Sequence, residues 1–272
     1  EWRARVFQAL ASLYAGEPVE PAVATRAIEV FERIGDTDGM AAAWSFRSTL
    51  AGETGDTSEA EAARQALHFA HEAGNRYIEA RSLITLSASL LLGPEPAADG
   101  IVECERLLAE ASGNLRAAAK VRSYLSALIA MRGDFERARA MADEGLAMLR
   151  ELGLAQGEAV SRMVAAIFIE LAAERLEVAE AELRGALAVL DRLGAKVFAN
   201  SAISALAEVL SIAGKDAEAE DLARLAAETA VIDDYDAQVR WRRARARVLL
   251  PRGAHDEAES LAREAGAVSA GP

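Results

Sequence analysis

Three arginines, Arg240, Arg243 and Arg247, stand at i, i+3 and i+7, which puts their guanidinium groups on one stripe of a helix. A guanidinium holds carboxylate or phosphate oxygens through paired hydrogen bonds, so such a stripe suits an acidic ligand. A second cluster is His68 and His71, three apart, with Glu72 beside them. Two imidazoles so spaced can share a metal, but the sequence places no third ligand, and a solvated helix flank is the better reading of them. His255 reads as a turn residue before the last helix. Cys104, the one cysteine, lies among apolar neighbours and reads as a buried, unreactive thiol. No G-x-x-x-x-G-K-[ST] phosphate loop occurs, GETG at 52–55 reads as a turn, and no serine or cysteine sits in a nucleophile elbow. The many Asp and Glu are what solvated helix faces need, so no pair stands out as acid and base. The expectation is a chain without catalytic residues, cofactor or bound metal.

What must position these side chains is helix. Hydrophobic residues make up 52% of the 272, but aromatic residues only 5%, and there are six prolines. That balance favours alanine- and leucine-rich helices, and no Val/Ile/Thr alternation marks a strand. A net charge of −13 repels phosphate backbones and argues against general nucleic-acid binding. A single cysteine excludes an internal disulfide framework and points to the cytoplasm. The longest apolar stretches, 82–93 and 163–173, are too short to span a membrane, and the second carries Glu170. No signal peptide opens the chain. It starts at Glu1-Trp2 already in helical pattern and stops at Gly271-Pro272 just past a helix, so it reads as a fragment of something longer.

The helices recur. Gly35, Gly74, Gly113, Gly153 and Gly194 follow one another at intervals of 39 to 41 residues, a period that means stacked supersecondary units. Before four of these glycines the residues agree: a small-apolar pair (Ala27-Ile28, Ala66-Leu67, Gly145-Leu146, Ala186-Leu187), a second apolar pair, and an apolar residue (Ile34, Ala73, Leu152, Leu193) directly before the glycine. Such stripes ending in a glycine predict amphipathic helices with a C-cap. A second series, Gly55, Gly133, Gly214 and Gly253, is followed five residues later by Ala60, Ala138, Ala219 and Ala258. Seven further on come Leu67, Gly145, Ala226 and Ala265. Ala179 and Ala186 continue the series after a turn at Glu174-Arg175 that has no glycine. Small residues seven apart on one face let a second helix come close. Asp56-Thr57-Ser58 supplies N-cap oxygens for one of these helices. Seven repeats follow, at about 1–35, 36–74, 75–113, 114–153, 154–194, 195–231 and 232–272, each with a first and a second helix. With no linker or low-complexity stretch between them, they read as one domain. In the third repeat, Gly93-Pro94-Glu95-Pro96 replaces the short turn and the second helix has slipped register.

Antiparallel helix pairs with alanines seven apart in the second resemble the tetratricopeptide repeat, and Trp44, eleven residues before Gly55, falls where that family often has tryptophan. The repeats here run to about 40 residues rather than the usual 34 and lack the closing proline. The strings LLGPEPAADGIVECERLLAE (91–110), AMRGDFERARAM (130–141) and VRWRRARARVLLPRGAHDEAESLAREA (239–265) look like the repeat region of large bacterial signalling proteins. There a nucleotide cyclase domain and a STAND-type AAA ATPase precede the repeats, and related ATP-dependent transcriptional regulators carry similar arrays. The resemblance implies an all-α, right-handed solenoid serving as a docking or sensing arm.

It also implies a concave groove lined by the first helices. Counted back from the turn glycines, its candidate residues are Arg240, Arg243 and Arg247 in the seventh repeat, Ser201 and Ser204 in the sixth, Ser161, Val164 and Phe168 in the fifth, and Lys120 and Ser123 in the fourth. In some members of the family, basic residues at matching positions grip acidic peptide ends. Structural readings stand beside these: the arginines can pair with acids of a neighbouring repeat, Glu208 facing Arg247, and Val164 and Phe168 can serve packing between repeats. The expected function is a noncatalytic scaffold that binds a protein or an acidic peptide. Alternatives are an arm that senses a small molecule and, further off, a hydrolase built on carboxylates. Self-association through exposed end faces is a further expectation.

Overall fold

The computed structural model describes residues 1–14, 18–53, 58–229 and 234–269. Among them every regular element is helical. Fourteen α-helices follow one another: α1 Trp2–Tyr14, α2 Ala22–Ile34, α3 Thr37–Glu53, α4 Glu59–Ala73, α5 Arg76–Leu92, α6 Ala97–Glu110, α7 Leu115–Met131, α8 Phe135–Glu151, α9 Ala155–Ala165, α10 Leu176–Arg192, α11 Lys196–Ile212, α12 Asp216–Thr229, α13 Tyr235–Leu249 and α14 His255–Ser269. Their breaks fall at the turns marked by Gly35, Gly74, Gly133, Gly153, Gly194, Gly214 and Gly253. Gly55, Asp56, Thr57, Asp233, Gly271 and Pro272 lie outside the described residues. Two compact units divide the chain, Glu1–Leu125 and Ser126–Pro272, with the division inside α7. Within each, the principal packing partners of a helix are one or two elements away in sequence.

The helix ends follow from side-chain and backbone chemistry. Asn75, Asn114, Asp134 and Asp234 each accept a hydrogen bond from the backbone N–H three residues on, at 3.0–3.2 Å, and so satisfy a donor that the helix cannot. Gly35, Gly74, Gly153 and Gly194 close their helices in the left-handed conformation, with φ near 67°. Gly133, Gly214 and Gly253 hold the same conformation in the turn between paired helices. Where the fifth repeat has no glycine, Glu174 takes the left-handed position itself, at φ 57°. Two expected ends are corrected. Gly113 is not left-handed: α6 runs out into a 3-10 turn over Ala111–Gly113. Ser58 makes no capping hydrogen bond to α4.

The second helix of each pair shares one buried pattern. In α6, α8 and α10 the buried side is Gly100, Cys104, Leu107, Ala111, then Ala138, Ala142, Gly145, Leu149, then Ala179, Leu183, Ala186, Leu190. Spacings of four, three and four residues keep all of these on one face. α12 continues it with Ala219, Ala223 and Ala226, and α14 buries Ala258 and Ala265 at the matching first and third positions. Small residues at the first position let the partner helix approach, while the leucines supply burial worth about 1.5–3 kcal/mol each. In α4 the pattern is Ala63, Ala66 and Ala70, and its first position holds Glu59. The expected pair Ala60 and Leu67 is therefore one residue out of phase: Leu67 is buried but Ala60 is only half-buried. The apolar residue before the closing glycine is also off the buried face, with Ile34 65% and Leu193 49% exposed.

The first helices are flanked on more than one side. α11 packs on α10, α12 and α13, and buries eleven of its seventeen residues. The first helix of the fifth repeat departs from regular geometry. After α9 the backbone widens into a π-turn over Ala166–Glu170, where the Leu171 N–H donates to the Ala166 carbonyl at 2.9 Å. The buried carboxylate of Glu170 is held there by Arg139 of α8 at 2.8 Å and by Arg175 at 3.3 Å.

Candidate functional site

The predicted arginine stripe lies on α13, and the structure splits it. Asp234 caps the helix, and its carboxylate also accepts from the Ser201 hydroxyl at 2.9 Å. Burial raises the pKa of this carboxyl above the ordinary aspartate value, against those two hydrogen bonds, which lower it. Arg240 points inward from the next turn. Its guanidinium pairs with Glu208 of α11 and with Asp236, the latter at 2.7 Å. Burial works against the charge on Arg240, yet the two carboxylates outweigh it and hold the pKa above its ordinary value. The acidic partner expected for Arg247 thus belongs to Arg240. Arg247 instead reaches the Ser211 hydroxyl at 3.4 Å.

Arg243 and Arg247 are exposed, one turn apart on the same face of α13. Of the five arginines on this helix, Arg240, Arg242 and Arg245 pair with carboxylates, the last two with Glu264 at 3.2 Å and Glu257 at 2.6 Å. Among the described residues, Arg243 and Arg247 form no ion pair with a carboxylate. In a chain with 43 acidic and 30 basic side chains, that leaves a local positive pair facing solvent.

The other candidate residues are mostly interior. Ser204 is fully buried, and its hydroxyl donates to the Ser201 carbonyl at 2.9 Å. Ser161 and Val164 are buried, and Phe168 packs against the core built by α9, α10 and α11. Ser201 is half-buried and committed to Asp234. In the other compact unit, Ser123 is buried, and the Lys120 ammonium lies 4.9 Å from the centre of the Tyr124 ring. Burial, helped by Arg116, lowers the Lys120 pKa to about 8, and burial raises that of Tyr124 to about 12. Buried side chains of this kind support packing and do not offer themselves to an incoming chain.

The histidine cluster does not converge. His71 turns to Glu110 at 3.2 Å and His68 to Glu72 at 3.5 Å, and no group of three or more potential metal donors assembles among the described residues. Cys104 is fully buried, and burial pushes its thiol up to about 12, so little thiolate exists at neutral pH. Sequence reasoning missed an open cleft of about 330 Å³ on the Glu1–Leu125 unit, lined by Thr49, Gly52, Glu59, Arg81, Thr85 and Ser89 with Ala88 and Leu92.

No family model matches the sequence, and no curated protein matches it either. Among solved structures, a crystal structure of BtubC (BKLC) from P. vanneervenii is similar over 92% of this chain and 89% of that one, at 19% identity and a TM-score of 0.47. A likeness that distant carries neither fold nor function across.

Proposed function

We propose that the chain is a noncatalytic helical-repeat arm that binds an acidic peptide or protein segment, with Arg243 and Arg247 as the anchoring side chains. The observation that carries this reading is the pair itself: two exposed guanidinium groups, one turn apart, with no carboxylate partner among the described residues. Guanidinium hydrogen-bonds carboxylates in a fixed fork, so two of them in line fit successive acidic side chains or a chain terminus. The helix pairs with their shared buried pattern, each packed on near neighbours in sequence, support a tetratricopeptide-like solenoid as the scaffold. On the sequence resemblance, its setting is a multidomain bacterial signalling regulator in the cytoplasm.

Fluorescence anisotropy against an array of labelled acidic peptides tests this. The wild-type chain should bind some of them, with affinity falling as salt rises, and Arg243→Glu should abolish the binding. Undiminished binding by Arg243→Glu together with Arg247→Glu overturns the assignment.

A further inference from the structure

Counted back from Gly214 and Gly253, Ser204, Glu208 and Ser211 of α11 stand where Arg243, Arg247 and Leu250 stand in α13. Counted forward from the same glycines, Ala223 of α12 matches Ala262 of α14. The two sets differ in what covers them. Ser204, Glu208, Ser211 and Ala223 are all buried, and α13 lies against both α11 and α12. Trp241 and Ala244 of α13 share a core with Ala207 of α11 and Ala223 of α12, and Arg240 pairs with Glu208. The groove between the two helices of one pair is thus filled by the first helix of the next. In the α13–α14 pair the matching residues Arg243, Arg247, Leu250 and Ala262 are all exposed, Leu250 by 52%. Their chemistry has also changed: two serines and a glutamate have become a leucine and two arginines.

We propose that the partner of Arg243 and Arg247 is an acidic amphipathic α-helix, laid in the α13–α14 groove as α13 is laid in the α11–α12 groove. This rests on the acidic-segment reading and adds the partner's conformation and register. A helix satisfies its own backbone, whereas an extended segment needs backbone partners that exposed arginine, leucine and alanine side chains do not supply. The α11–α13 contact sets the register, with the charges exchanged. A glutamate of the partner in the place of Arg240 meets Arg247, as Arg240 meets Glu208. Asp234 meets Ser201 one stage earlier, so the residue facing the Ser204 position lies about one turn before Arg240. A second acid there meets Arg243. Beside the first acid, an apolar residue and then a small one stand in for Trp241 and Ala244, with Ala262 leaving room for them as Ala223 does. Leu250 adds an apolar contact at the far end of the groove.

The test uses the full chain and a labelled helical peptide with Glu, Leu and Ala in the places of Arg240, Trp241 and Ala244, and a second Glu one turn earlier. A control peptide differs by one proline in its central turn, which breaks the helix and keeps every charge. Fluorescence anisotropy should show the helical peptide binding at least about tenfold more tightly than the control. Ala262→Trp fills the groove from an exposed position, so it should weaken the helical peptide by a similar factor and leave the melting temperature unchanged. Arg247→Glu should lose this peptide and accept one with lysine in place of the first glutamate. Equal affinity for the helical and proline peptides, or undiminished binding by Ala262→Trp, overturns the groove and leaves the acidic-segment reading standing. So does a helical peptide that fails to bind while other acidic peptides succeed; if no acidic peptide binds in any conformation, both readings fall. A mass that grows with concentration in light scattering and excludes the peptide would put a second copy of the chain in the groove, and that too overturns the proposal.

Discussion

Arg240 of α13 and Glu208 of α11 face each other from consecutive first helices as a buried ion pair, their side chains 12% and 9% exposed. Each was taken out of water to make that contact, so each depends on the other. Asp236, half-exposed, holds the second edge of the guanidinium. Arg240→Ala should therefore strand the Glu208 carboxylate and lower stability by about 3 kcal/mol. Adding Glu208→Leu should recover much of that loss, as read from urea unfolding midpoints. A loss confined to a few tenths of a kcal/mol would place the pair in solvent.

Arg243 and Arg247 should behave in the opposite way. Both are exposed and unpaired with acids among the described residues, so replacing either by glutamate should move stability by no more than about 0.5 kcal/mol. The effect should appear only in peptide anisotropy. A large drop in melting temperature would mean that these arginines are structural.

Lys120 gives the chain an alkaline signature. Its pKa is lowered from the ordinary 10.5 to about 8 in the folded state, so between those pH values the unfolded chain holds more protons. Stability should rise as pH climbs through that window, by about 3 kcal/mol in all. Tyr124, raised from 10.0 to about 12, acts in reverse and should lower stability once pH passes 10. Lys120→Met should flatten the rise between pH 8 and 10.5 and stabilise the chain at neutral pH. A urea midpoint that does not change with pH in that window contradicts the burial of Lys120.

Glu174 sits in the left-handed region at φ 57°, where a Cβ crowds the following carbonyl. Glu174→Gly should stabilise by roughly 1 kcal/mol, and Gly133→Ala, at φ 85°, should destabilise by a similar amount. Denaturation midpoints measured in parallel would show both signs; a destabilising Glu174→Gly would mean that its side chain contributes more than the backbone strain costs.

Helix positions were largely legible because glycine and capping residues announce them: Asn75 and Asn114 open α5 and α7 where the sequence places those helices. Faces were harder to read. Counting forward from Gly55 puts Ala60 on the buried side of α4, whereas counting back from Gly74 finds Ala66 and the true register. The first helices defeat a surface reading for a physical reason. They are flanked by several neighbours, so polar residues at helical spacing end up inside, where serine hydroxyls bond their own backbone, as Ser204 does to Ser201 and Ser211 to Glu208. Ser123, Ser161 and Ser204 looked like groove residues on spacing alone. The π-turn at Ala166–Glu170 has no sequence mark beyond one acidic residue in an apolar run.

The four-position rule of the second helices has an outcome for how such a chain can diversify. Most letters on those helices lie outside it and can drift without disturbing the joints. A change inside it, as at Glu59, is felt by α3 within its own pair and by α5 of the next, so one altered letter re-tailors a single joint and leaves distant copies as they were.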